Sequence, residues 1–192
     1  MKKFIPLLIL LVLGFSFQSF SQDEIPAYIK EKITYPVLGF HPYVGVMPVE
    51  EPALPYNPEL DYKVVLDLYG GIKDSTAIHP SILEVARTYN LGIANGVPKE
   101  KLHLAAVVHG GLVNAILSDI EYEKKFSIKN PNLLAIEELE KVGVQFYVCG
   151  QSMAFLQIGK EKLTPLVHPA ISAKYSFVTL GQMGYVYLNV SE

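Results

Sequence analysis

Cys149 is the only cysteine in the chain, and it stands in the stretch GVQFYVCGQSM, Gly143 to Met153. There a short apolar run stops at Cys-Gly and a polar, helix-starting run begins. A thiol just ahead of a helix N-terminus meets unpaired backbone N–H groups and the positive end of the helix dipole. Such a place lowers a cysteine pKa from about 8.5 into the range of roughly 3.5–7.5, and the thiolate is the nucleophilic form. The same position also suits a small, buried, inert side chain, and the residues alone leave both readings open. His109 ends a second apolar run, KLHLAAVVHGG. If the two runs lie side by side, their ends bring the imidazole toward the sulfur; the alternative is a ring that caps its own loop. Asp67 interrupts a third apolar run, YKVVLDLYG. Burying a carboxylate without a partner is costly, so Asp67 is expected to take a backbone or histidine hydrogen bond, with an assisting role at a site as the other option. Gly110 and Gly150 follow their strands directly and let backbone approach a ligand closely. Gln151, Ser152 and Met153 fill the loop beside the cysteine. Ser152 lacks the glycine-flanked elbow of a serine hydrolase and reads as a helix-start hydroxyl.

Several chemistries find no support. His41, His79, His103 and His168 show no metal-ligand spacing, and one cysteine cannot complete a structural zinc site. No metal or cofactor is expected. The segment YGGIKDST has glycines and hydroxyls but does not match a phosphate-cradling loop. The formal net charge is −3, which gives no electrostatic reason to bind nucleic acid or an anionic membrane.

The elements that position these residues follow from periodicity. From Tyr62 onward, apolar strands alternate with helices. YKVVLDLYG is the first strand, and His79-Pro80 opens a helix to about Leu91, proline suiting the first turn. KLHLAAVVHGG is the second strand. A helix is expected next, with Leu112, Ala115, Ile116 and Leu117 on one side, then a solvated segment, EYEKKF. A helix over 131–141 should turn Leu133, Leu134, Ile136 and Leu139 inward and pair Glu137 with Lys141 on its outer face. VQFYV is the third strand, with a short helix over 151–158. PLVHPA holds a fourth short strand, 171–183 a last helix stopped by Gly184, and YVYLNV a closing strand. Such alternation implies βαβ units and a mostly parallel sheet covered on both faces. In an open parallel sheet, ligands bind outside the carboxyl ends of the strands, which is where Asp67, His109 and Cys149 fall.

Residues 1–21 read as a secretory signal: Lys2 and Lys3, an apolar run from Phe4 to Gly14, and small residues at Ser19 and Ser21. The chain is therefore expected to be exported, periplasmic in a bacterium with two membranes, and free of the membrane after cleavage. Residues 22–61 carry seven prolines among tyrosines and aliphatics, too many for helix or central strand. They should form an extended arm across the domain or a neighbouring subunit. Residues 62–192 form the α/β domain.

The order of LAAVVHGG, GVQFYVCGQSM and GQMGYVYLNV resembles the DsrE/DsrF-like family of sulfur-relay proteins, and more narrowly its exported members with a signal peptide and proline-rich lead-in. The resemblance spans about residues 61–190. It implies a flavodoxin-related, three-layer α/β/α single domain around a five-stranded, mainly parallel sheet, assembled as a trimer or hexamer. It also implies that a strand-end cysteine, here Cys149, carries persulfide sulfur between partners such as a sulfur-carrier protein or small thiol. His109 and Gly110 correspond to pocket-lining positions, and Gln151, Ser152 and Met153 to the loop beside the cysteine. Against this sulfur-handling reading stands a non-catalytic module that binds a small ligand among His109, Gly110, Cys149 and Gln151. A flavodoxin-like cofactor carrier is a third reading, without a phosphate loop to encourage it. The tyrosine-rich arm and Tyr185-Val186-Tyr187 are more apolar than a monomer needs to expose, so self-association is expected.

Overall fold

A computed structural model of the chain describes residues 26–191; the expected signal segment, 1–21, lies outside the described residues. The chain divides into a unit Met1–Glu31 and a unit Lys32–Glu192. Of the first, the described part holds a one-turn helix, α1 (Ala27–Lys30).

The second unit is a five-stranded, all-parallel sheet with helices on both faces. Its strands are β1 (Tyr62–Gly70), β2 (Leu102–Gly110), β3 (Gln145–Cys149), β4 (Val167–Ala170) and β5 (Val186–Asn189), in the spatial order β4-β3-β2-β1-β5. The helices are α2 (Pro80–Ala94), α3 (Asp119–Phe126), α4 (Asn132–Lys141), α5 (Gly150–Leu156) and α6 (Ala173–Gln182). Among the described residues, no helix is long and apolar enough to cross a membrane.

Strand alternation sends successive side chains to opposite faces. Leu66, Leu68, Leu104, Ala106, Val108, Phe146 and Val148 bury against Ile82, Val85, Ala86 and Tyr89 of α2 and Ile136 and Leu139 of α4 in the larger core. The other face carries Val65, Ala105, Val107 and Cys149, packed against Ala173 and Leu180 of α6. The central strands are apolar on both faces because both are covered, and Asp67 is the exception on the α6 face.

Three stretches differ from the sequence expectation. Residues after β2 form a 3-10 helix, Gly111–Ile116, in which Leu112, Val113, Ala115 and Ile116 are all fully buried. A segment apolar on every side has no solvent face to lay along a regular helix. Asn130 fixes it by donating to Ala115 O and Leu117 O at 2.9 and 2.6 Å. The EYEKKF segment, expected only as solvated, is exposed at Glu123, Lys124 and Lys125 and forms most of α3. Ser118 caps it by accepting from Glu121 N–H at 3.4 Å, acids fill the first turn and lysines the last, and Tyr122 is fully buried. On α4, Leu134 is 52% exposed, and Lys141 pairs with Glu138 at 2.7 Å rather than with Glu137; a three-residue step also brings side chains together on a helix.

From Lys32 to Asp61 the proline-rich stretch lies on the domain. Asn90 of α2 is fully buried and does three jobs: its Oδ1 accepts from Leu38 N–H at 3.0 Å, and its Nδ2 donates to Leu38 O and Val44 O, each at 2.8 Å. Leu38, Val44 and Val46 are buried with it, each contributing about 1.5–3 kcal/mol of burial.

Candidate functional site

Cys149 is the last residue of β3 and the N-cap of α5, and it is 5% exposed. Its Sγ accepts from Ser152 N–H at 3.4 Å. Burial alone would push the thiol pKa up. The hydroxyl of Ser152 and the backbone N–H groups of Ser152, Ala173 and Gln151 outweigh it, and the pKa is lowered. Ala173 opens α6, so the sulfur receives donors from the starts of two helices. Ser152 Oγ also accepts from Gly110 N–H at 2.9 Å. The hydroxyl is thus more than a helix-start group: it is polarised by one backbone donor while serving the sulfur, and it ties the end of β2 to the start of α5.

His109 lies beside Cys149 in register. Val107 pairs with Tyr147 and Val108 with Val148, so the next step sets His109 next to Cys149 on the α6 face. Its ring, however, reaches the other way. Its Nε2 lies 2.7 Å from Asp67 Oδ1 on β1, and its ring stacks on Tyr69 at 4.8 Å and meets Phe177 edge-on at 6.2 Å. Tyr187 of β5 donates to the other Asp67 oxygen at 2.5 Å. This hydrogen bond first, then burial and the carboxylate's charge, pushes the Tyr187 phenol up to about 12. Asp67 therefore has the histidine partner expected of it and a second one, Tyr187, to which no residue pattern points. The main chain closes the cluster: Ser191 Oγ donates to Asp67 O at 3.0 Å and accepts from Tyr69 N–H at 2.9 Å.

The two glycines have packing reasons. Gly110 has φ +65° and ψ −148°, and a Cβ there would lie 2.5 Å from the Tyr69 ring. A Cβ on Gly150 would lie 2.7 Å from Ala170 O. Gln151 is exposed and donates from Nε2 to Ile171 O at 3.3 Å. Met153 turns into the larger core. The structure thus gathers Cys149, Gly110, Ser152 and Gln151 around one loop, and Asp67, His109 and Tyr187 into a second cluster beside it. A groove of about 210 Å³ opens along α6, lined by Tyr147, Ala170, Ile171, Tyr175, Leu180 and Met183 among others. It adjoins the cysteine through Tyr147, Ala170 and Leu180, but none of the residues expected to line a ligand pocket, His109, Gly110, Cys149 and Gln151, lines this groove. Among the described residues, no group of three or more histidine, cysteine, aspartate or glutamate side chains is placed to hold a metal ion.

The profile of the DsrE/DsrF-like family matches residues 63–190. No curated protein matches the chain. Among solved structures, a protein of unknown function from Methanobacterium thermoautotrophicum is similar at 22% identity, with a TM-score of 0.49, over 67% of this chain and 99% of that one. On the family match, which covers well over half of its length, the chain belongs to the DsrE/DsrF-like family.

Proposed function

We propose that this protein handles sulfane sulfur at Cys149. The thiolate attacks a sulfur donor, holds the sulfur as a cysteine persulfide and passes it to the thiol of a small molecule or carrier protein. One observation carries the reading: Cys149 caps α5 with its sulfur accepting from Ser152 N–H at 3.4 Å, and the Ser152 hydroxyl and neighbouring N–H groups lower the thiol pKa against the opposing effect of burial. Ionisation makes the thiol nucleophilic, and membership of a sulfur-relay-type family supports the same chemistry. After incubation with polysulfide, mass spectrometry should find one added sulfur atom at Cys149, and the folded protein should alkylate faster near neutral pH than the unfolded chain. A folded thiol that gains no sulfur and alkylates no faster than the unfolded one would sink the proposal.

The groove along α6 favours a second reading, a small-ligand-binding module in which the thiol is incidental. A Cys149→Ser protein that kept full affinity for a ligand recovered from the native source would favour the module. We further infer that the protein is exported, on the strength of residues 1–21. Protein purified from its native cell should then begin at Gln22, and an intact Met1 would overturn the inference.

A further inference from the structure

The geometry points to Asp67, His109 and Tyr187 as a proton relay that serves the leaving and attacking thiols in sulfur transfer at Cys149, with His109 as its catalytic residue and Asp67 and Tyr187 as positioning residues. The inference rests on the sulfur-handling reading and deepens it. Cys149 takes its hydrogen bonds from Ser152 and from main-chain N–H groups, so the thiol does not depend on an imidazole to ionise. That leaves His109 for another task. Asp67 holds Nε2 at 2.7 Å, which fixes this nitrogen as the protonated one in the neutral ring and leaves Nδ1 as the base. Among the described residues Nδ1 makes no hydrogen bond, and the side chain is 22% exposed. Tyr187 occupies the second oxygen of Asp67 at 2.5 Å, and Tyr69 and Phe177 hold the ring by contact. A buried carboxylate with both oxygens engaged, aimed at a histidine one strand away from a thiol, is more than the packing of this face requires.

The chemistry closes without a further reagent. The Cys149 thiolate attacks the outer sulfur of an alkyl persulfide, R–S–SH. The new bond forms between Sγ and that sulfur, and the donor S–S bond breaks with its electron pair going to R–S. Protonated His109 gives its Nδ1 proton to the departing thiolate, yielding R–SH, neutral His109 and the Cys149 persulfide. In the return step an acceptor thiol attacks the outer sulfur, His109 takes the acceptor's proton, and Cys149 leaves as thiolate. Asp67 stabilises the imidazolium that stands before loading and is restored when His109 takes the acceptor's proton in the return step.

The test compares two sulfur donors on the full-length protein, following sulfur at Cys149 by mass. Cysteine persulfide releases an alkyl thiolate, which needs a proton. Benzenethiosulfonate releases a sulfinate, which does not. His109→Gln should slow loading from cysteine persulfide about 10²-fold and slow loading from benzenethiosulfonate far less. Tyr187→Phe, which keeps the ring against Phe177, and Asp67→Asn should show the same split at smaller size. A near-ultraviolet circular dichroism spectrum matching wild type certifies that each variant is folded. Equal losses with both donors, or no loss with either, would overturn the relay while leaving Cys149 as the sulfur site. Wild-type protein that takes no sulfur from either donor would overturn the sulfur reading and the relay with it.

Discussion

At the scale of single residues, Ser152 determines how Cys149 behaves. Its hydroxyl stands between Gly110 N–H and the sulfur, and its own N–H donates to the same sulfur. Ser152→Ala removes the hydroxyl and keeps the N–H. The thiol pKa should rise, and alkylation at neutral pH should slow severalfold without loss of fold. The sign of the stability effect follows from linkage. The folded thiol ionises at lower pH than the unfolded one, whose ordinary value is 9.0. Its contribution is therefore full above that value and is lost as the pH falls through the lowered, folded one. Denaturant titrations should show wild type gaining on Ser152→Ala as the pH rises toward 9.0; a constant difference would separate the hydroxyl from the thiolate. Sequence reading singled out Cys149, His109 and Asp67 because each breaks the pattern of its strand. It could not say which of its two neighbours His109 would face, since that depends on β1 and β3 flanking β2 on opposite sides. Tyr187 stayed invisible for a similar reason: its partner lies 120 residues away, and only the pairing of β5 with β1 brings it to Asp67.

Elements were legible where one signal ruled. The unbroken apolar run YKVVLDLYG is β1 without adjustment. Around 111–126 two signals competed. Aliphatic spacing suggested a helix where the chain makes a buried 3-10 turn, and charge density suggested only solvent where Ser118 caps a helix. The Ser-x-x-Glu spacing of a capping box was present in SDIE, but α3 buries little besides Tyr122 and so offered no periodicity. The proline-rich stretch is held by α2 through Asn90. Asn90→Ala would leave Leu38 N–H, Leu38 O and Val44 O without their partner. Each stranded buried group costs 1–3 kcal/mol, so a loss of about 3 kcal/mol is expected. Thermal unfolding should report the loss, and limited proteolysis should cut first within 32–61. Cleavage elsewhere, or an unchanged melting temperature, would mean that the apolar contacts of Val44 and Val46 hold the stretch unaided.

At the scale of the whole molecule, the asymmetry between the two faces of the sheet has a consequence. Among the described residues, one face is covered by α2 and α4 and the other only by α6. On that thinner side Ile171, Tyr175, Val178 and Met183 are between 58% and 79% exposed, and on the outer strand Val186 is 70% exposed, with Tyr187 and Leu188 at 49% and 42%. Among the described residues, β5 pairs only with β1 and leaves its outer backbone edge unmatched. Single exposed apolar residues are ordinary, but a helix face and an adjoining strand edge that are both apolar mark an interaction surface. A charged, bulged or proline-bearing edge would discourage pairing, and VYLN carries none of these. Self-association through α6 and β5 is therefore expected. Light scattering at micromolar concentration should give a mass that is a multiple of the subunit. Val178→Lys, on the outer face of α6 and away from Cys149 and Asp67, should return a folded monomer, because a lysine at the centre of an apolar contact must lose its hydration without a partner. A wild-type mass equal to one subunit, or a Val178→Lys protein that stays associated, would rule out this surface. The outcome also bears on the site, since Tyr187 belongs at once to the exposed strand and to the Asp67 cluster. If the surface is the right one, association should shield the Tyr187 hydroxyl from solvent, and the monomeric variant should load sulfur from cysteine persulfide more slowly than wild type.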